Sequence, residues 1–272
     1  MELLLPRIAL LLYLAAAAGF IGYLITAEER WRLRAPLLLA AAAAVHGFAI
    51  AGRSFQLGHM AVASFDEALS FLAFSLAILY LLLDRRHVLA VLGAVIAPLA
   101  SLLMAVAVLI SSGATELPPA LRSAWLPVHV TLAFLGNAVF ALTFATSLIY
   151  VLEDNRLKAK RPARRLLQPS LERLDALNHR LLSWGFLLLT LGIVTGAIWA
   201  HFAWGHFWSW EAREMWSLIT WILYAVLLHG RSIGWRGRRA ATLTIVSFAV
   251  LFVSFVGVNV FSSGRHGGTF GS

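Results

Sequence analysis

The chain has 272 residues, of which 60% are apolar and only 13% charged, with a mean hydropathy of +0.81. A water-soluble domain carries about 25% charged residues, so this composition excludes a soluble fold and makes lipid the solvent. The net charge of +9 then bears on membrane orientation rather than on nucleic acid, and the absence of cysteine excludes disulfides, thiolate metal sites and thiol chemistry by this chain.

Eight stretches are long and apolar enough to span a bilayer, which takes about 20 residues of helix. In chain order they are Pro6–Ile25, Ala35–Ala51, Ala68–Leu83, Val88–Ile110, Trp125–Leu152, Leu181–Ala203, Ala212–Leu228 and Ala240–Phe261. No alternating strand pattern interrupts them, so the predicted fold class is an all-α integral membrane protein of eight transmembrane helices, a single polytopic domain over 1–272. The first stretch runs past a signal-peptide core into a basic stop and reads as a retained helix. The fifth is over-long, and the seventh is short enough that its helix is expected to continue past His229. The alanines of Ala40–Ala44 permit close helix packing.

Lysines and arginines concentrate in the connections at 26–34, 84–87, 153–180 and 229–239, whereas the opposite side carries only Arg7, Arg53, Arg122, Arg213 and Arg265. Basic connections remain cytoplasmic, which places both termini on the outer, periplasmic side. The segment 153–180 reads as a basic amphipathic cytoplasmic connection near anionic headgroups.

Six of the 10 tryptophans (Trp199, Trp204, Trp208, Trp210, Trp216 and Trp221) fall around one outer connection. An interfacial aromatic belt is one account of them. A platform for a flat, apolar, anionic ligand is the other, since indoles stack on rings and arginine pairs with carboxylates. Among the nine histidines, His59, His87, His179, His201 and His206 lie in connections or beside the tryptophans. His129, just inside the fifth helix, and His266, just beyond the eighth, both face outward and flank the tryptophan segment. Two imidazoles on opposite faces of a macrocycle would ligate a haem iron. His46 and His229 lie within the membrane, where an ionisable side chain is costly and suggests function. They are a possible second pair, though at different expected depths.

The segment from Trp204 through Ser209-Trp210-Glu211-Ala212-Arg213-Glu214 to Trp216, followed by His229-Gly230-Arg231, resembles the tryptophan-rich "WWD" signature of haem-handling proteins. The chain is most similar to the CcsA/ResC type of System II cytochrome c biogenesis. Arg53-Ser-Phe-Gln-Leu-Gly-His59 with Ser64 and Glu67, Trp125-Leu-Pro-Val-His129, and Gly257-Val-Asn259 leading to Gly264-Arg-His266 agree with it. The resemblance implies that haem b is carried as substrate and presented at the outer face on segment 204–216 for covalent attachment to the CxxCH motif of apocytochromes c. His129 and His266 would be its outer iron ligands and the residues on which catalysis depends, and His229, with His46 as its partner, an inner site. Trp204, Trp208, Trp210 and Trp216 would hold the ring, with Glu211 and Glu214 in the acidic positions. Arg53, Arg122 and Arg213 are outer-side candidates for the propionates. The signature's Asp-Pro is Glu211-Ala212 here, and Gly267 and Gly268 stand where serine and tyrosine are usual.

It also implies that the chain is the haem-handling subunit of a holocytochrome c synthase. The partners would be a CcsB/ResB-type membrane subunit, the apocytochrome and thiol-reducing proteins, with no nucleic acid. With no transit peptide visible, the expected location is a bacterial inner membrane. Two other readings are a haem-binding regulator of tetrapyrrole synthesis and a proton- or solute-coupled transporter. The tryptophan segment with both outer histidines counts against the first. The near absence of carboxylates inside the helices counts against the second.

Overall fold

The computed structural model describes residues 4–84, 90–111, 123–160 and 170–261. Among them every regular element is a helix: α1 (Leu4–Thr26), α2 (Glu29–Leu57), α3 (Phe65–Asp84), α4 (Ala90–Leu109), α5 (Trp125–Lys158), α6 (Leu171–Trp204), α7 (Ala212–Ser232) and α8 (Gly237–Phe261). Each of the eight expected stretches thus gives a helix among the described residues, the fourth expected stretch, Val88–Ile110, as Ala90–Leu109. Seven are long and apolar enough to cross a membrane; α7, with Arg213, Glu214, His229 and Arg231 near its ends, falls outside that set. It does continue past His229, to Ser232. Residues 153–158 prolong α5 and 171–180 open α6, so most of the described part of the basic connection is helix continuous with two spans. Its leucines, glutamates, lysines and arginines are good helix formers and carry the helix beyond the apolar stretch.

Helix ends follow local chemistry. Gly58 and Gly205 close α2 and α6 in the left-handed conformation, where glycine has no steric penalty. Ser170 caps α6 by accepting from the Arg173 N–H at 3.3 Å. Ser64 and Glu67 open α3 with a capping box: the Glu67 N–H reaches Ser64 Oγ at 3.4 Å, and Glu67 Oε2 accepts from the Ser64 N–H at 3.3 Å and the Ala63 N–H at 2.9 Å.

The helices pack as two sets of four. In the first, α1 lies on α2 and α4, and α3 on α2 and α4. Small residues let the axes approach: Ala35, Ala42 and Ala43 of α2 are buried, and a Cβ at Gly19 would lie 3.0 Å from the Ala35 Cβ. In the second set α5 pairs along its length with α6, while α8 bridges α5 and α7. Helix α5 joins the sets by packing also on α3 and α4. At the end of the second set where α6 begins and α7 finishes, the buried Arg231 guanidinium donates to Asp175 Oδ1 at 2.6 Å and Oδ2 at 3.0 Å. Asp175 Oδ1 also accepts from the Gly237 N–H at 2.9 Å, so one carboxylate ties α6, α7 and the start of α8.

Candidate functional site

A cavity of about 250 Å³ opens where α5 and α7 begin and α6 and α8 end. Its mostly apolar walls carry a small set of polar and aromatic groups: His129, Trp199, Trp208, Arg213, Glu214 and Trp216. That composition suits an apolar ligand fixed by a few oriented contacts.

His129 is held by the backbone of α6. Its Nδ1 lies 2.8 Å from the Gly192 carbonyl oxygen. A carbonyl only accepts, so Nδ1 carries the proton, and in the neutral ring the lone pair sits on Nε2, the tautomer required of a metal ligand whose other nitrogen is anchored. Gly196, one turn beyond Gly192, gives the ring its space: a Cβ there would lie 2.6 Å from His129 Cε1 and 2.7 Å from Nδ1. The Trp199 indole runs nearly parallel to the imidazole, 10° apart with centroids at 5.9 Å, and Trp204 meets Trp199 at 5.0 Å and 63°. Gly192 and Gly196 are therefore part of the site beside Trp199, a contribution of the two glycines that the sequence did not single out. The spacing was visible, but small residues at i and i+4 equally mark ordinary helix packing.

The tryptophan segment crosses this end of the cavity and is pinned by Glu214. Its Oε2 accepts from the Ser209 N–H at 2.8 Å and the Glu211 N–H at 3.3 Å, and its Oε1 from the Ser209 hydroxyl at 2.9 Å. Glu211 precedes α7 as its N-cap residue, so glutamate in place of aspartate still occupies the acidic capping position. Trp210 has φ +60, a conformation costly for a residue with a Cβ; the residue is 69% exposed and its ring is edge-on to Trp208. Beside it, His206 Nδ1 bonds the Trp204 carbonyl at 2.8 Å and His201 stacks on Phe207 at 4.2 Å. Both histidines thus serve the loop's own structure.

Of the residues expected at the outer site, His129, Trp208, Trp216, Arg213 and Glu214 line this cavity. Glu211, Trp204 and Trp210 belong to the segment around it. His266 and Arg122 lie outside the described residues, as do His87, Gly267 and Gly268; α8, which leads to His266, contributes Ser254 and Phe255 to the lining. Arg53 is elsewhere: its Nε donates to Glu67 Oε1 at 2.7 Å, and both residues line a second cavity in the α1–α4 set. His46 is fully buried, with Nδ1 3.1 Å from the Tyr13 hydroxyl and Nε2 2.7 Å from Ser70 Oγ. His229 is exposed near the end of α7. His46 borders the second cavity between α1, α2, α3 and α4, whereas α7 packs on α6 and α8, so these two histidines are not brought together.

Known proteins offer a consistent comparison. Residues 62–266 match the family model for the cytochrome C assembly protein. The chain is 36% identical over 217 residues to the cytochrome c biogenesis protein CcsA of Chlamydomonas reinhardtii, covering 77% of this chain and 61% of that relative. It is 30% identical over 259 residues to CcsA of Prochlorococcus marinus, covering 85% and 82%, and 32% identical over 258 residues to CcsA of Porphyra purpurea, covering 80% and 81%. Among solved structures, the cytochrome c heme lyase CcmF superposes with a TM-score of 0.69 at 17% identity, a likeness of fold that covers 99% of this chain and 49% of that one.

Proposed function

From the premise that the chain belongs to the cytochrome c assembly family, as a CcsA-type biogenesis protein, we propose that it holds haem b at the α5–α8 cavity and presents it for attachment to apocytochromes c. The observation that carries this reading is His129: anchored through Nδ1 to the Gly192 carbonyl, parallel to Trp199, and set in the wall of an apolar cavity with Arg213 on its lining. An imidazole whose tautomer is set by a backbone acceptor is prepared to ligate iron through Nε2. Trp208 and Trp216 supply ring contacts, and Arg213 a cation for a propionate. His266 is the second outer ligand in this proposal.

The chemistry of attachment is addition of each CxxCH thiol across a haem vinyl group, forming a C–S bond at one carbon while the proton goes to the other. The thiols come from the apocytochrome, since this chain has no cysteine. The chain's own contribution is positioning: fixing the ring by its ligands and indoles fixes where the vinyls lie. A CcsB/ResB-type subunit and a thiol reductant complete the proposed assembly. The cavity then faces the periplasm, because the connections at the other end are the basic ones.

The test is the visible spectrum of the purified protein. Wild type is expected to show a low-spin haem signal, and His129→Ala and His266→Ala each to lose it or to require added imidazole. Spectra unchanged in both variants would overturn the outer-site assignment.

A further inference from the structure

The second cavity, about 210 Å³, lies among the start of α1, the end of α2, the start of α3 and the end of α4. The segment leading into α3 separates it from the first: Val62 and Ala68 face the His129 cavity, while Ala61, Asp66 and Glu67 face this one. Its charged lining consists of Arg53, Glu67 and Asp66, beside the imidazole of His46. Arg53 and Glu67 neutralise each other at 2.7 Å, and the His46 nitrogens are taken up by Tyr13 and Ser70. Asp66 differs. Its residue is 7% exposed, it lines the cavity, and among the described residues its carboxylate has no hydrogen bond or ion pair. Its place in the first turn of α3 favours negative charge through the helix dipole, yet supplies no donor to its oxygens. Among the described residues the lining holds two carboxylates and one guanidinium, inside a wall that includes Leu5, Ile50 and Val108. Burying a carboxylate without a counter-charge is strongly unfavourable.

We propose that this cavity is a binding site for a primary ammonium group carried on an apolar body, with Asp66 as the residue that receives it. A primary ammonium matches the site on three counts. It offers the positive charge that Asp66 lacks among the described residues, it brings N–H donors to a carboxylate that has none among them, and its apolar body suits walls of leucine, isoleucine and valine. A primary ammonium is available from the headgroup of phosphatidylethanolamine, where it adjoins a phosphate, and from a free alkylamine. A quaternary ammonium has the charge without the donors and is expected to be the poorer ligand.

The experiment uses the full chain in detergent and native mass spectrometry. Phosphatidylethanolamine and phosphatidylcholine of identical acyl chains are added in parallel, with hexylamine as the free amine. Phosphatidylethanolamine is expected to be retained and phosphatidylcholine lost. Asp66→Asn is expected to weaken retention about tenfold, the scale of one charge-assisted hydrogen bond. Ala107→Leu fills the cavity without altering its charge and is expected to expel the ligand while the unfolding temperature is maintained. Hexylamine bound by wild type and not by Asp66→Asn, without lipid retention, would support the site and assign it to a free amine. Binding of both lipids to the same extent by wild type, retention of phosphatidylethanolamine by Asp66→Asn at the wild-type level, or binding of neither phosphatidylethanolamine nor hexylamine by wild type would overturn the proposal. Neither result bears on the haem spectrum of the other cavity, so the two readings fail separately.

Discussion

The two cavities are built from matching residue types. Each has a histidine in its wall, an arginine on its lining, and a glutamate three residues beyond the position that opens the next helix: His46, Arg53 and Glu67 in the α1–α4 set, His129, Arg213 and Glu214 in the α5–α8 set. What differs is the company they keep. His46 is riveted by side chains of two other helices, Tyr13 of α1 and Ser70 of α3, and wedged edge-on against Phe74. His129 is held instead by a backbone carbonyl and a parallel indole, on glycines that leave room for its ring. Glu67 takes both an arginine and the backbone; Glu214 grips the tryptophan segment. A histidine near the end of a span is therefore not defined by its type or depth. Its neighbours decide whether it joins helices together or orients its ring at a cavity.

The sharpest way to break this comparison is to crowd one glycine in each half. Gly196→Val places methyl groups where the His129 ring lies, since even a Cβ would stand 2.6 Å from Cε1. The expected outcome is loss of the haem signal as complete as in His129→Ala, in a chain still folded by circular dichroism. In the other half, a Cβ at Gly93 would lie 2.6 Å from the Tyr80 hydroxyl and closer still to the Phe20 ring. Gly93→Val is expected to lower stability by about 1–3 kcal/mol through overpacking, read as thermal unfolding, while the signal per folded molecule is unchanged. Loss of signal in both variants would show that the halves are not functionally distinct.

A smaller effect is expected from His46→Ala. The Tyr13 hydroxyl and Ser70 Oγ would each lose the His46 partner in a buried setting, at a cost of about 1–3 kcal/mol. His46→Ala should therefore unfold at a lower temperature yet keep the low-spin spectrum. A spectral change equal to that of His129→Ala would return His46 to the set of iron ligands.

Glu67→Gln and Glu214→Gln come next. Each removes a negative charge that the dipole of a helix N-terminus favours, worth about 0.3–1 kcal/mol. Glu67→Gln also removes the charge opposite Arg53 and is expected to be the more destabilising of the two. Glu214→Gln is expected to lower haem retention more than unfolding temperature, because Ser209 and the tryptophan segment lose their charged anchor.

Much of this was legible in the chain because lipid leaves few choices: apolar runs must become helices, and all eight did. Their polar extensions were not legible. The ends of α5 and α6 run through a charged segment where hydropathy falls but helix propensity persists, and helix propensity does not fix an end. The sequence also set His129 and Arg213 near one another by counting ends of spans, and the cavity joins them. It did not reveal that Arg53 would turn to Glu67, because an ion pair fourteen positions apart depends on how α2 meets α3. It set His46 and His229 at different depths but did not place them in different helix sets, since depth along a helix says nothing of which neighbours surround a residue.

The smallest effect, and the finest probe of the tryptophan segment, is at Trp210. Its backbone is left-handed and its ring mostly exposed, so its removal sacrifices little burial. Trp210→Ala loses the edge contact with Trp208 and keeps the Cβ that strains the backbone. Trp210→Gly loses the same contact and relieves the strain. The glycine variant is therefore expected to be the more stable of the two by about 1 kcal/mol, the cost of a left-handed residue with a Cβ, even though glycine gives the unfolded chain more freedom. If the ring holds haem, both variants should lose haem affinity equally, because neither has an indole. Equal stabilities would mean the strain is absent; haem retention by the glycine variant alone would mean that the turn, and not the ring, is what the segment contributes at this position.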